Sequence, residues 1–161
     1  MLPIKNKIFN NLILLFSIFA LLCAYFIQYF LGHEPCNLCL IERIPYFAAL
    51  ILISLMFIIN KYEKKILIVV GIFFIFGAIV SFYHVGIEQG IFNETLLCDL
   101  GKSIKDPTSA ELLKELQKKT ISCKDVTFSF PGVSLATFNT LISTFIAAII
   151  FKNIINYEKN R

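Results

Sequence analysis

Residues 8–32 carry no charged side chain. A run of about 20 apolar residues is enough to cross the hydrocarbon core of a bilayer, so the pattern predicts a first membrane helix there. A second apolar run, residues 44–59, is shorter. It reaches spanning length only if its helix begins near Cys39, which puts Glu42 and Arg43 in the first turns. Residues 66–87 predict a third span. The charge-free stretch 126–151 contains a fourth, beginning near Pro131 or Gly132 because these residues suit a loop-to-helix junction. The pattern therefore predicts an all-α membrane protein, a four-transmembrane-helix bundle.

Charge sets the expected orientation. Lys5 and Lys7 precede the first span, Lys61, Lys64 and Lys65 lie between the second and third, and Lys152, Lys159 and Arg161 follow the fourth. Short basic flanks stay cytoplasmic, so both termini are expected inside. Residues 33–43 and 88–125 then form two outer loops. The longer one has six lysines against seven acids and does not oppose this assignment. Within it, Thr108, Ser109, Ala110 and Glu111 follow Pro107 in the form of a capping box, which predicts a short helix. Leu112, Leu113 and Leu116 fall on one side of that helix and Lys114, Lys118 and Lys119 largely on another. This suits either a helix lying on the membrane surface or a solvated loop helix.

Composition agrees. The chain has 161 residues, 57% hydrophobic and 16% charged, with a mean hydropathy of +0.75. No linker-like stretch or repeat divides it, so one integral domain over residues 1–161 is expected. Lys5 and Lys7 before an apolar run resemble a signal peptide, but the run is too long for an h-region and no small-residue cleavage site follows, so the segment is expected to stay attached. The net charge of +4 is scattered over helix ends and one mixed loop. It forms no basic stripe interleaved with aromatics, and nucleic-acid binding is discarded.

Five cysteines change the picture. Cys36 and Cys39 form a CxxC at the expected start of the second helix, where free backbone N–H groups and the macrodipole favour a thiolate. Cys98 and Cys123 lie in the second outer loop. All four therefore share one compartment, and if it is the bacterial periplasm, disulfides persist there. Paired thiols at a membrane surface suggest electron transfer. A CxxC also suits zinc or a static disulfide, but Cys98 and Cys123 supply no second closely spaced pair, so no metal is expected. Two structural disulfides remain open, and four cysteines allow three pairings.

Arg43 and Glu42 follow Cys39 by four and three residues, so on a helix both project from the side of that thiol. Arg43 suits stabilisation of a thiolate or reduced acceptor, or equally an arginine snorkelling to headgroups. His84, near the outer end of the third span, suits a proton donor at a ligand or a satisfied interface histidine. Cys23 reads as a small buried apolar side chain. The phenylalanines read as packing or lipid-facing residues.

The run Glu34-Pro35-Cys36-Asn37-Leu38-Cys39-Leu40-Ile41-Glu42-Arg43, with the separated Cys98 and Cys123 before the last span, resembles the bacterial disulfide-bond formation protein B family, DsbB, over essentially the whole chain. The reverse order of the cysteine pairs would resemble the vitamin K epoxide reductase family. The resemblance implies a four-helix inner-membrane enzyme with periplasmic cysteine loops. Such an enzyme reoxidises a thioredoxin-fold dithiol protein of the DsbA kind and passes the electrons to ubiquinone or menaquinone. Carried over, Cys98 is attacked by the partner and Cys123 resolves it. Cys36 and Cys39 take the electrons, with Cys39 facing the quinone, Arg43 beside its ring and His84 near its site. The expected resting disulfides are Cys36 with Cys39 and Cys98 with Cys123. The family's last helix often begins with tryptophan, of which this chain has none, and Phe138 is expected to fill that place. The rival readings are a disulfide-stapled membrane scaffold, and an enzyme sending electrons outward through thiols set within the membrane.

Overall fold

The computed structural model describes residues 7–59, 62–93, 98, 122–124, 129–130 and 132–159. The elements are α1 (Lys7–Tyr29), α2 (Asn37–Ile41), α3 (Ile44–Ile58), α4 (Glu63–Glu88), β1 (Ser129–Phe130), β2 (Val133–Ser134) and α5 (Leu135–Lys159). Among the described residues four stretches are long and apolar enough to cross a membrane: Ile8–Tyr29, Asn37–Ile58, Glu63–Glu88 and Leu135–Asn156. The fold is the expected all-α, four-span membrane protein. The short helix expected at 108–119 lies outside the described residues.

Each span packs on its neighbour in sequence: α1 against α3, α3 against α4, and α4 against α5. Tyr46, Ala49, Ile53, Met56, Val70, Phe74 and Ile150 fill the centre, with the rings of Tyr46 and Phe74 meeting edge to face at 5.5 Å. Leu12, Leu22, Ile51, Ile79, Phe82 and Phe145 point outward, as lipid contact requires. Lipid tails are as apolar as leucine, so close packing rather than hydrophobic burial must hold such helices together. Gly77 shows this. A Cβ there would stand 2.7 Å from Pro45 Cγ, so the missing side chain lets the start of α3 lie against α4.

Two boundaries differ from the sequence expectation. The second span is two helices, because α2 ends at Ile41 and α3 starts at Ile44. Pro45 is the cause. It lacks an N–H, and its ring would strike the carbonyl four residues back, that of Ile41. The chain closes the gap with Glu42 N donating to Leu38 O at 2.9 Å and Arg43 N to Leu40 O at 3.2 Å. The fourth span starts at Leu135, not near Gly132. Gly132 instead lies in the turn between β1 and β2, whose register pairs Ser129 with Ser134 and Phe130 with Val133. Gly132 takes φ 81°, which a turn tolerates best at glycine. Ser134 Oγ then accepts from Thr137 N at 3.3 Å, the bond that starts a helix.

Candidate functional site

Cys36 caps α2. Its backbone is extended and its Sγ accepts from Cys39 N at 3.3 Å. The expected Cys36–Cys39 disulfide is not formed in this structure: both residues are thiols, with their sulfurs 2.9 Å apart, so the pair stands in its reduced form. The hydrogen bond shared with the Cys39 thiol, aided by His84, pulls the Cys36 thiol down to about 4, against the opposing effect of burial. A five-residue helix adds only a short dipole, so neighbouring side chains do most of what the sequence assigned to a long helix.

His84 comes from the far end of α4 and is 3% exposed. Its Nε2 lies 3.6 Å from Cys36 Sγ, while Nδ1 donates to Glu42 Oε1 at 2.7 Å. A buried carboxylate must be paired and hydrogen-bonded. Glu42 obtains its second bond from Asn139 Nδ2 at 3.0 Å on the other oxygen. Asn139 is in turn held by Ser81 Oγ, at 2.6 Å from its Nδ2, and by Tyr46 OH, which donates to its Oδ1 at 2.5 Å. The chain Cys36, His84, Glu42, Asn139 thus ties α2, α4 and α5 together.

Glu42 and Arg43 do not share one side as a continuous helix would require. The turn between α2 and α3 sends Glu42 toward α4 and Arg43 toward α1. There Arg43 Nη1 donates to Gln28 Oε1 at 2.7 Å, and the guanidinium lies 5.0 Å from the centroid of the Tyr25 ring. Between these walls is a cavity of about 300 Å³. Cys36, Cys39, Glu42, Arg43 and His84 line it beside Phe16, Phe19 and Phe138. Cys23 also borders the cavity and is half-buried rather than sealed in packing.

A disulfide joins Cys98 to Cys123, with Cα atoms 6.0 Å apart. Cys123 is buried against Cys36, Leu38 and Ile87, and Cys98 packs on the same cluster. Asn37 Nδ2 donates to Cys98 O at 2.9 Å. All six expected site residues, Cys36, Cys39, Cys98, Cys123, Arg43 and His84, therefore gather at one end of the bundle. Lys64 and Lys65, in the first turn of α4, lie at the other.

Sequence reasoning passed over Gln28, Tyr46, Ser81 and Asn139, and it noted Glu42 without giving it a partner. Their signal was polarity inside apolar spans, where such side chains face the bundle and mark functional paths. Ser81 also precedes His84 by three residues, on one face of α4.

Comparison with known proteins agrees with this arrangement. An uncharacterised protein of Rickettsia prowazekii (strain Madrid E), RP370, is 29% identical over 153 residues, covering 94% of this chain and 88% of that protein. No solved structure matches the chain. The profile of the disulfide bond formation protein DsbB family matches residues 6–152, nearly the whole length. The chain belongs to the DsbB family, and so to the disulfide-generating membrane oxidoreductases.

Proposed function

We propose that this protein is a thiol:quinone oxidoreductase of the bacterial inner membrane, which reoxidises a periplasmic DsbA-like dithiol protein and passes the electrons to a membrane quinone. The observation that carries this reading is the position of the Cys36/Cys39 pair. It sits between the Cys98–Cys123 disulfide and an apolar cavity with Arg43 and His84 on its walls.

In the first exchange a partner thiolate attacks Cys98, displacing Cys123 as thiolate. The partner's second thiol then releases Cys98, leaving the partner with a disulfide and the loop pair reduced. In the second exchange the loop dithiol attacks an oxidised Cys36–Cys39 pair, and the bond passes back to the loop. The reduced Cys36/Cys39 pair now faces the cavity. His84 Nε2 is placed to take a proton from the Cys36 thiol, or as a cation to steady its thiolate, while Glu42 fixes the ring.

The cavity suits a quinone ring. It reaches the size range of small-molecule pockets, about 300–1,000 Å³, its walls are aromatic, and Arg43 supplies a planar donor. When bound, a quinone accepts two electrons and two protons. The need for it follows from known potentials of the DsbA–DsbB–quinone relay, the established bacterial system, rather than from this chain. A DsbA-like partner near about −120 mV cannot be oxidised by a glutathione pool near about −220 mV, a transfer about 5 kcal/mol uphill.

Orientation follows the lysines. The end bearing Lys64 and Lys65 is cytoplasmic and the cysteine end periplasmic. A purely structural role accounts for Cys98–Cys123 but leaves two thiols on a cavity wall unexplained. The test is quinone reduction by the purified protein given a reduced DsbA-like partner, repeated with Cys98→Ala and Cys39→Ala. Activity in the parent and its loss in both variants support the reading. Turnover in either variant contradicts it.

A further inference from the structure

The CxxC spacing alone argued against a metal, because it offered two thiols and no second close pair. The fold adds a third donor from a distant position. The Sγ atoms of Cys36 and Cys39 and a ring nitrogen of His84 all lie within 4.8 Å of one another. His84 is oriented as a metal-binding histidine is, since its other nitrogen already donates to a carboxylate, Glu42 Oε1 at 2.7 Å.

The separations can be compared with a real site. Metal bonds of about 2.3 Å to sulfur and about 2.0 Å to nitrogen, at tetrahedral angles, require edges of about 3.5 Å for S···N and about 3.8 Å for S···S. The Cys36 Sγ to His84 Nε2 distance is 3.6 Å, so that edge already fits. The Cys36 to Cys39 separation is 2.9 Å and must open, and Cys39 borders the cavity into which its thiol would move. Three protein ligands leave the fourth position facing the cavity.

We propose that reduced Cys36 and Cys39, together with His84, form a three-ligand site for a thiophilic divalent cation such as Zn²⁺ or Cd²⁺, and that a bound ion and the Cys36–Cys39 disulfide exclude each other. Both sulfurs bind as thiolates, and whatever proton a ligand atom still carries when the ion arrives goes to solvent. No electron is transferred. The ion holds the pair reduced and closes off its wall of the cavity, so it arrests disulfide formation at this pair. The site stands on the geometry of these three residues and does not depend on quinone being the electron acceptor.

The test uses the full-length chain in detergent with Cys23, Cys98 and Cys123 replaced by Ser, which leaves Cys36 and Cys39 as its only thiols. Cd²⁺ is titrated while thiolate-to-cadmium absorption is followed, first in the reduced protein and then after oxidation of the pair. One ion per chain in the reduced protein and none in the oxidised protein is expected. Glu42→Gln should weaken binding about 10–100-fold, the usual cost of an outer-shell change at a metal site, and His84→Gln, which removes a ligand, by more. X-ray absorption of Zn²⁺ in the unmutated site gives a reading that does not depend on variant folding. Two sulfurs with one imidazole support the site. A shell without imidazole, equal binding by the oxidised protein, or unweakened binding by His84→Gln overturns it.

Discussion

His84 Nδ1 donates to Glu42 Oε1 at 2.7 Å, and this bond joins the third span to the turn that breaks the second. It leaves Nε2 facing Cys36, so the imidazole can exchange a proton with the thiol while its ring stays fixed. His84→Gln should lower the rate of Cys36–Cys39 reoxidation about 10²–10⁴-fold, the usual contribution of a positioned acid or base. Glu42→Gln should lower it less, because an amide oxygen still accepts from Nδ1. Single-turnover oxidation of the reduced pair measures both. Equal rates in parent and His84→Gln would leave His84 as a packing residue.

Cys36 provides a pH signature. Its thiol is held down at about 4, so the thiolate is present above that pH and is lost only on acidification through it. Alkylation of Cys36 in the reduced protein should therefore be nearly flat from about pH 6 to 8, whereas an ordinary thiol gains reactivity steeply toward its pKa of about 8.5. Peptide mapping after short exposure to a small alkylating reagent reads this directly. A rise that parallels a free thiol would remove the assigned stabilisation.

Arg43 reaches the cavity while bonded to Gln28 and stacked near Tyr25. Arg43→Ala should raise the quinone concentration needed for half-maximal turnover, and Arg43→Lys should raise it less, because charge survives while the planar fork is lost. Neither should change thiol exchange at Cys98. Unaltered quinone use by Arg43→Ala would identify a snorkelling arginine and misplace the quinone.

Gly77 sits under Pro45 rather than at the chemistry. Gly77→Ala should force the start of α3 away from α4 and cost about 1–3 kcal/mol, as overpacking does. Thermal unfolding in detergent measures the loss. Because α3 carries Tyr46, which donates to Asn139, turnover should fall as well. An unchanged melting midpoint would mean the contact is not tight.

Much of this was legible in the sequence for a physical reason. A bilayer demands long uncharged runs, so the four spans announced themselves, and CxxC with a following Glu-Arg marks one end of the second. The break at 42–43 was legible but unread: a helix starting near Cys39 carries Pro45 six residues inside it. There its ring meets the Ile41 carbonyl, and the helix must be interrupted. Asn139 and Gln28 were missed because a single polar residue in an apolar run has no partner until helices are packed. His84 could be marked as a candidate by its place in the third span, but its distances to Cys36 and Glu42 are set by tertiary structure alone.

The central claim is that electrons entering at Cys98 leave through Cys36/Cys39 to quinone. The most direct measurement follows partner disulfides and quinone together, with purified protein, excess reduced DsbA-like partner and a limiting quinone. One quinone should be consumed for each partner disulfide formed, oxidation should stop when quinone is exhausted, and Cys36→Ala should allow partner attack at Cys98 but no quinone loss. Partner oxidation that continues after quinone is spent, or quinone loss that persists in Cys36→Ala, would contradict the account.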